Sequence, residues 1–310
     1  MIKKNLILTE LPERYPKIEG IDIEAIYRPV NRFLRFIRYL HHKSGILPQY
    51  KSLWIGNWKR ELKSYNQIII FDSIFDYTPL NILQNRFHNQ INFCYRNRVK
   101  SNITHSCISR DPKVLQEKYK CRIWSYSKED CQSYNLLYYN QFHLIPSNLS
   151  SSHNSEIDAI FIGLDKGRLA SLKELKSTLN ERGFNCILKI VPSKKTHYKT
   201  SDREYLCKPY SYLELLKIEA KAKCIVDWVG GTNKGITFRC LEAQVLQKKL
   251  ITNSTEIINF DFYSPSNIYI WGHDSLDRLS EFLNSEFDNS ILKDLNKYSF
   301  ISFCNMVFNT

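Results

Sequence analysis

The stretch IDAIFIGLDKGRLASLKELKSTLNERGFNCILKIV, residues 157–191, decides the fold class of this chain. It opens with an apolar run that ends in Gly163, which is typical of a buried strand. A helical segment follows, since Gly183 closes a stretch in which leucines occupy positions 169, 172, 175 and 179. A second apolar run then ends at Pro192. Strand, helix and strand in this order predict a parallel βαβ unit.

The same alternation continues on both sides of this unit. Towards the C-terminus, further strands are predicted at 223–229, 249–252 and 267–271, and helices at 212–222 and 237–246. Towards the N-terminus, the corresponding apolar runs are 1–9, 65–73, 91–95 and 121–126.

A stretch rich in serine and asparagine, residues 146–156, separates two such α/β halves. We therefore predict an α/β protein with two Rossmann-like domains whose parallel sheets face a central cleft. The predicted domains are 1–150 and 151–275. Residues 276–310 are predicted to form a C-terminal helix that packs back across the domains.

Composition excludes several classes of protein. Of the 310 residues, 43% are hydrophobic and 24% charged, which is ordinary for a globular chain and excludes disorder. No apolar run approaches the roughly 18 residues of a membrane-spanning helix. Glu10, Pro12 and Glu13 cut short the apolar start, and no signal-peptide cleavage site follows, so we expect a cytoplasmic protein. The nine cysteines form no CxxC or CxH pair, which argues against a zinc site.

The charge of the chain indicates an anionic partner. Lysine and arginine number 44 against 31 aspartates and glutamates, a formal net charge of +13. Nucleic acid, an anionic membrane surface and a phosphorylated substrate all fit such a charge. No RNP, KH or helix-turn-helix signature occurs, and cations concentrate in residues 28–60, so we expect no nucleic-acid partner. A non-catalytic, basic nucleic-acid-binding protein is the alternative interpretation.

One basic segment lies between Glu24 and Glu61, an interval without any acidic residue. Within it Arg32, Arg35 and Arg38 recur three apart with aromatic and aliphatic residues between them, which predicts a helix with a basic and an apolar side. Such a helix can lie on an anionic membrane, or it can pack its apolar side on the core. The sequence leaves both interpretations open.

The end of the strand at 157–163 is a candidate phosphate site. Ligands of open α/β sheets bind at the carboxyl ends of the strands. Here a glycine turn carries Lys166 and Arg168 to the start of the next helix, where a diphosphate is favoured. Basic residues at such a turn are also common surface features, which is the alternative.

A second candidate is the glycine-rich turn that follows the strand at 223–229. Gly235, Ile236 and Thr237 lead into a helix whose N-terminus would face a ligand. Glu242, one and a half turns on, can accept both hydroxyls of a ribose, or it can be a surface or capping residue. The turn is neither a Walker loop nor a GxGxxG fingerprint.

A third strand end carries Thr252 and Asn253, polar groups that belong beside the same crevice or merely form a turn.

The first half offers a candidate base and an anion site. Asp72 follows a buried strand, with Asp76 one turn on, and a carboxylate there can deprotonate an acceptor hydroxyl or simply cap a helix. Arg96 and Arg98, at another strand end, suit an anionic acceptor. His105 and His143 are further candidate bases. No Asp-x-Asp, GxSxG, HExxH or P-loop occurs, so no metal is expected.

These residues resemble the GT-B glycosyltransferases, most closely the bacterial proteins of lipopolysaccharide core biosynthesis, and the length suits the small rhamnosyltransferases among them. The matching pieces are 162–168, 224–229, 235–242 and 248–253 in the second half, and 69–73 and 123–130 in the first.

The resemblance implies a GT-B-like fold and a metal-independent glycosyltransferase. Its co-substrate would be a UDP- or dTDP-linked sugar, with no further cofactor; Arg168 would bind the diphosphate, 235–237 would lie against it and Glu242 would hold the ribose. The acceptor would be the lipopolysaccharide core or a related anionic glycolipid, met by the N-terminal domain at the cytoplasmic surface of the inner membrane. Many members carry two glutamates eight positions apart, but Lys234 stands at the earlier position here, which removes one sugar contact.

Overall fold

The computed structural model describes residues 3–87, 89–99, 110–146, 149, 156–193, 196–230 and 236–310. The chain divides into two compact units. Unit 1 comprises Met1–Leu144 together with Phe300–Thr310, and unit 2 comprises Ile145–Ser299.

Unit 1 is built on one parallel sheet with the strand order β2-β1-β3-β4-β5-β6. Its strands are β1 (Lys4–Thr9), β2 (Ile21–Ala25), β3 (Tyr65–Phe71), β4 (Ile91–Tyr95), β5 (Arg122–Ser125) and β6 (Leu137–Tyr138). Its described helices before residue 145 include α1 (Arg32–Ser44), α2 (Thr78–Gln84), α3 (Pro112–Tyr119) and α4 (Lys128–Tyr134).

Unit 2 is built on a second parallel sheet with the strand order β11-β10-β9-β7-β8. Its strands are β7 (Ile157–Leu164), β8 (Cys186–Val191), β9 (Ala222–Asp227), β10 (Lys249–Thr252) and β11 (Ile268–Ile270). Its helices are α5 (Leu169–Glu181), α6 (Tyr212–Glu219), α7 (Phe238–Val245), α8 (Arg278–Asn284) and α9 (Leu292–Leu295), and α10 (Phe300–Phe308) belongs to unit 1. The two all-parallel sheets confirm the predicted α/β class.

Local sequence explains where the helices begin. The side chain of Asn31 accepts a hydrogen bond from the amide of Leu34 at 2.9 Å and so starts α1, which ends at Gly45 with a φ of 69°. Helix α6 begins with a capping box, in which Ser211 and Glu214 each accept a hydrogen bond from the other's backbone amide. Strand β2 has no counterpart among the predicted strands, because its five residues are all half-buried and give no apolar run.

The C-terminal segment 276–310 is divided between the two units. Residues up to 299 belong to unit 2, where Leu279 and Phe282 are buried in its core. Only α10 packs on unit 1, because Phe300 and Phe303 form an aromatic cluster with Phe142 at centroid distances of 5.2 and 4.5 Å. The apolar side chains of the segment are therefore divided between two cores.

The strand order fixes where a ligand crevice can form in each unit. In unit 1 the second strand lies on one side of β1 and the third on the other, and in unit 2 β8 and β9 flank β7 in the same way. The chain therefore reverses its direction of winding between β1 and β3 and between β7 and β9. In open α/β sheets, ligands bind at the carboxyl ends of the strands beside such a reversal.

Among the described residues, no helix combines the length and hydropathy needed to cross a membrane.

Candidate functional site

The unit 2 crevice consists of the loops that follow β7 and β9, residues 165–168 and 228–230. Lys166 and Gly167 turn the first loop with φ angles of 48° and 79°. A Cβ built on Gly230 would lie 3.5 Å from the carbonyl oxygen of Lys166, so a side chain at position 230 would contact the first loop. The two loops therefore approach each other at the reversal point of the sheet.

Arg168 joins the ends of the two strands. Its Nε and one terminal nitrogen donate to the carbonyl of Leu164 at 3.0 and 2.8 Å, and the other terminal nitrogen donates to the carbonyl of Trp228. The guanidinium lies 4.9 Å from the ring centroid of Phe161. Burial, and next the charge of Arg239, lower the pKa of Arg168 to about 10, so the side chain stays cationic at neutral pH.

Asp165 holds the first loop and was not among the predicted site residues. Its carboxylate accepts from the amide of Leu169 at 3.1 Å, which starts α5, and from the hydroxyl of Tyr198 at 2.7 Å. The side chain is only 1% exposed. Its place directly after a buried strand was the signal available in the sequence.

Asn253 holds the second loop. Its side-chain oxygen accepts from the amide of Val229 at 2.7 Å, and its side-chain nitrogen donates to the carbonyl of Val229 at 2.9 Å. The fully buried Thr252 accepts from the amide of Ser254 at 3.2 Å. Asn253 therefore fixes the backbone of the second loop, whereas Thr252 is buried and bonds within the turn that follows β10.

The predicted turn before α7 is described only from residue 236. Gly235 and Lys234 lie outside the described residues, and Ile236 is buried in the core of unit 2. Thr237 starts α7 by accepting from the amide of Arg239 at 3.1 Å. The same hydroxyl donates to the carboxylate of Asp227 at 2.9 Å, which ties α7 to the end of β9.

Arg239 supplies a second buried guanidinium that sequence reasoning missed. It donates to Glu219 at 3.1 Å and to the carbonyl of Ile162 at 2.6 Å. A Cβ on Gly163 would lie 3.4 Å from Arg168 and 3.5 Å from Arg239, so both cations flank the carboxyl end of β7. A lone arginine inside the apolar run of α7 was the only available signal.

Glu242 is 4% exposed and accepts a hydrogen bond of 2.6 Å from the hydroxyl of Tyr212. Burial raises the pKa of Glu242, against the opposing effects of Tyr212 and Arg239. The predicted ribose contact therefore lies inside unit 2 with one carboxylate oxygen already occupied.

Glu219, beside it in this network, is fully buried. Burial raises its pKa to about 7 despite the attraction of Arg239, and its second oxygen has no hydrogen-bond partner among the described residues.

In unit 1 the predicted base lies near the reversal point. Asp72, which is 1% exposed, directly follows β3, and its carboxylate accepts from the backbone and side-chain nitrogens of Asn97 at 3.3 and 3.4 Å. Arg96 donates to the hydroxyl of Tyr15 at 2.9 Å. Polar side chains at the carboxyl ends of β3 and β4 are thus held in place by hydrogen bonds.

Arg98, which was predicted to bind an anionic acceptor, is paired with carboxylates of the protein. It donates to Asp130 at 3.0 Å and pairs with Glu129 at 2.8 Å, so two carboxylates already neutralise its charge. An anionic acceptor would have to displace at least the exposed Glu129.

Asp76 forms a buried ion pair instead of a free carboxylate. It accepts from His42 at 2.6 Å and from Lys51 at 3.0 Å, and it starts α2 by accepting from the amide of Thr78 at 2.9 Å. Burial opposes ionisation, but the bonds from His42 and Thr78 prevail and lower the pKa of Asp76. Of the other candidates, His105 lies outside the described residues, and burial lowers the pKa of His143 to about 4.

The three arginines that were predicted to lie on the surface differ in their exposure. Arg32 and Arg35 are exposed on α1. Arg38 is only 8% exposed, donates to the carbonyl of Arg28 at 2.8 Å, and lies 5.1 Å from the ring centroid of Tyr27. It attaches α1 to unit 1 and so cannot meet an external surface.

The described cysteines are all free thiols, and no group of three or more described histidines, cysteines, aspartates and glutamates is arranged to hold a metal ion.

Comparison with known proteins gives structural likenesses only. No protein-family model and no curated protein matches the chain. The structure of S. aureus MnaA with UDP is 9% identical, with a TM-score of 0.46 over 96% of this chain and 92% of that one. A DNA-modifying β-glucosyltransferase, solved with and without uridine diphosphoglucose, is 11% identical, with a TM-score of 0.44 over 99% and 94%. Likenesses of this degree show nothing about the function of the chain.

Proposed function

We propose that the chain is a glycosyltransferase that binds a nucleotide-sugar donor at the unit 2 crevice. The observation that carries the proposal is Arg168. It lies at the reversal point of the sheet, and within the part of the chain that the structure describes its nitrogens donate to the carbonyls of Leu164 and Trp228 and form no ion pair. Carbonyl dipoles orient a guanidinium without neutralising it, and the repulsion from Arg239 opposes the attraction of Asp227 and Asp165, so a diphosphate is a favourable partner for this cation.

The chemistry of sugar transfer fits this cation. As the bond from the sugar to the diphosphate breaks, negative charge grows on the departing nucleoside diphosphate. A cation held in place by two strand ends stabilises that charge without having to reorganise. Arg239 adds to the positive potential at β7, although Glu219 and Asp227 offset part of its charge.

The first loop of the donor crevice also offers an exposed lysine to a phosphate ligand. Lys166 is exposed on the first loop, in the left-handed turn that brings it beside the start of α5. Ribose recognition by Glu242 requires the ribose hydroxyls to replace the hydroxyl of Tyr212, because that hydroxyl now occupies one carboxylate oxygen. We expect a UDP- or dTDP-linked sugar as the donor.

The acceptor side of the proposal rests on unit 1. Asp72, at the carboxyl end of β3, is the proposed base that removes the proton of the acceptor hydroxyl. The acceptor is an anionic envelope glycolipid of the lipopolysaccharide core type, which suits the net charge of +13. The reaction then takes place at the cytoplasmic surface of a membrane, without a metal.

A ligand screen tests the donor site. Purified protein is heated with UDP, dTDP, GDP and CDP and with their sugars, each near a hundred times its dissociation constant, where binding adds about 2.7 kcal/mol. One nucleotide should raise the melting temperature clearly above the others. If heparin or RNA stabilises the protein and no nucleotide does, the nucleic-acid alternative replaces this proposal.

A turnover assay tests the transfer. The donor found in the screen, carrying a radiolabelled sugar, is incubated with the protein and with glycolipid extracted from bacterial envelopes. Label should move into the lipid fraction in proportion to the enzyme. A donor that binds, but whose sugar is only converted to another sugar nucleotide, would show an epimerase instead.

A further inference from the structure

Helix α1 has its polar and apolar sides reversed relative to an ordinary surface helix. Its only buried residues are Arg38 and His42. By contrast Phe33, Phe36 and Leu40 are 70%, 59% and 46% exposed. The structure thus excludes the interpretation in which the apolar side of this helix packs on the core.

The exposed apolar surface continues beyond the helix into the turn and 3₁₀ segment at 46–53. Large exposed apolar patches on a soluble protein mark interaction sites. We call this surface the apolar ridge, and its members are Phe33, Leu34, Phe36, Ile37, Leu40, Ile46, Leu47, Tyr50 and Leu53.

Hydrogen bonds hold the turn that connects α1 to the rest of the ridge. The indole N–H of Trp54 donates to Nδ1 of His41 at 2.8 Å, which leaves the proton on Nε2, and Nε2 donates to the carbonyl of Leu47 at 3.2 Å. Lys51 donates to the carbonyl of His42 at 3.1 Å. These bonds hold Leu47 at a φ of 46°, a strained conformation for leucine that persists only where the surroundings enforce it.

The helix is joined to unit 1 through polar contacts. Arg38 donates to the carbonyl of Arg28 and lies 5.1 Å from the ring centroid of Tyr27. His42 forms the buried pair with Asp76. These anchors replace the apolar packing that usually fixes a surface helix, and they leave the apolar side chains of α1 directed to solvent.

The charges around the ridge decide what it binds. Arg32, Arg35 and Lys43 are exposed on the same helix, and no acidic residue occurs between Glu24 and Glu61. A second copy of the chain would bring these like charges face to face. An anionic bilayer offers both a negative headgroup layer and an apolar boundary beneath it.

We propose that the chain docks on an anionic lipid bilayer by inserting the apolar ridge, with Arg32, Arg35 and Lys43 on the headgroups. The inference deepens the proposed function by naming the surface on which the acceptor is met, but lipid binding does not depend on the donor site. His42 pairs with Asp76, four residues after Asp72, so the helix of the ridge is attached to the loop that carries the proposed base.

Vesicle co-sedimentation of the full chain tests the proposal. Vesicles of phosphatidylglycerol and phosphatidylcholine are compared with vesicles of phosphatidylcholine alone. The wild type should bind the anionic vesicles at least tenfold more strongly, and raised salt should weaken but not abolish that binding. The double variant Phe33→Ser/Phe36→Ser should lose tenfold or more, and Arg32→Gln/Arg35→Gln should lose most of the salt dependence.

Matched controls separate docking from misfolding. Ile258→Ser/Leu276→Ser changes two exposed apolar residues on unit 2, which are 43% and 44% exposed, and should bind vesicles like the wild type. The ridge variants replace exposed side chains, so their melting temperatures and donor-induced thermal shifts should be unchanged.

Two outcomes would overturn the proposal. One is equal binding of the wild type and the Phe33→Ser/Phe36→Ser variant to anionic vesicles. The other is a wild-type dimer in sedimentation velocity, without lipid, that this variant loses, since the ridge would then bind a second copy. If that equal binding is no binding at all, while the wild type keeps its donor-induced thermal shift, docking alone is refuted and the donor site stands.

Discussion

The hydroxyl of Tyr212 donates a hydrogen bond of 2.6 Å to the carboxylate of Glu242, thirty residues further along the chain. This bond joins the first turn of α6 to the middle of α7, and it gives a carboxylate that is 4% exposed one of its few polar contacts. Removing either partner leaves the other buried with less compensation.

Tyr212→Phe should therefore destabilise the chain by about 1–3 kcal/mol, because one oxygen of Glu242 loses its donor without gaining water. Urea unfolding at neutral pH measures the change. Tyr210→Phe is the matched control, since Tyr210 is 44% exposed and should shift stability by less than about 0.5 kcal/mol. Equal values for the two variants would show that the bond does not contribute.

Glu219 should make stability fall as pH rises. Its folded pKa of about 7 lies above the 4.5 that is ordinary for a glutamate, so the folded state binds the proton more tightly. The contribution is complete below about pH 4.5 and is lost as pH rises through 7, on the order of 3 kcal/mol in all. Glu219→Gln should remove this slope while keeping an acceptor for Arg239.

Urea unfolding at pH 5 and pH 8, for wild type and Glu219→Gln, measures the slope. The exposed Glu256→Gln is the control and should follow the wild type. A variant that loses as much stability as the wild type between the two pH values would contradict the assignment.

Arg168→Lys should weaken binding of the nucleoside diphosphate by about tenfold or more. Lysine keeps the charge but cannot donate to both strand ends and to a diphosphate at once. Isothermal titration with the nucleotide selected by the ligand screen measures the affinity.

Arg182→Gln, at the other end of α5, is the control for Arg168→Lys and should bind like the wild type. Because Arg168 also links β7 to β9, the melting temperature of each variant is measured without ligand. Unchanged affinity in a folded Arg168→Lys would argue against the donor crevice.

Asp72→Asn should reduce turnover by about 10²–10⁴-fold while donor affinity stays unchanged, because the amide cannot take up a proton. The side-chain oxygen of asparagine still accepts from Asn97, so the local fold is kept. Single-turnover transfer to the lipid acceptor measures the rate. Asp277→Asn, on an exposed loop, serves as the control, and full activity in Asp72→Asn would place the base elsewhere.

Periodicity in the sequence was enough to find most of the fold. Apolar runs ended by glycine or proline gave β7, β8 and α5, because a strand buried on both faces and a helix with one apolar side leave signatures within a few residues. Strand β2 was missed because its half-buried residues carry no such run. The residue at which the chain leaves unit 2 could not be predicted, since apolar spacing does not tell which core a helix joins.

The candidate site could be located from the sequence only to the level of strand ends. Lys166, Arg168, Thr252 and Asn253 do follow strands whose carboxyl ends lie in one sheet. Their partners could not be predicted, because the Val229 backbone that Asn253 binds is twenty-four residues away along the chain. Arg239 was missed for the same reason, since Glu219 reaches it from another helix.

The sequence by itself determined the α/β class, the parallel sheets and the basic interval that contains no acidic residue. Each of these depends on the order and spacing of neighbouring residues. Only the tertiary structure decided which side of α1 is buried. Spacing shows that a helix has two unlike sides, but burial depends on what packs against it. Here Tyr27 and Asp76, from other elements, provide sites for Arg38 and His42, and the apolar side of the helix is left in solvent.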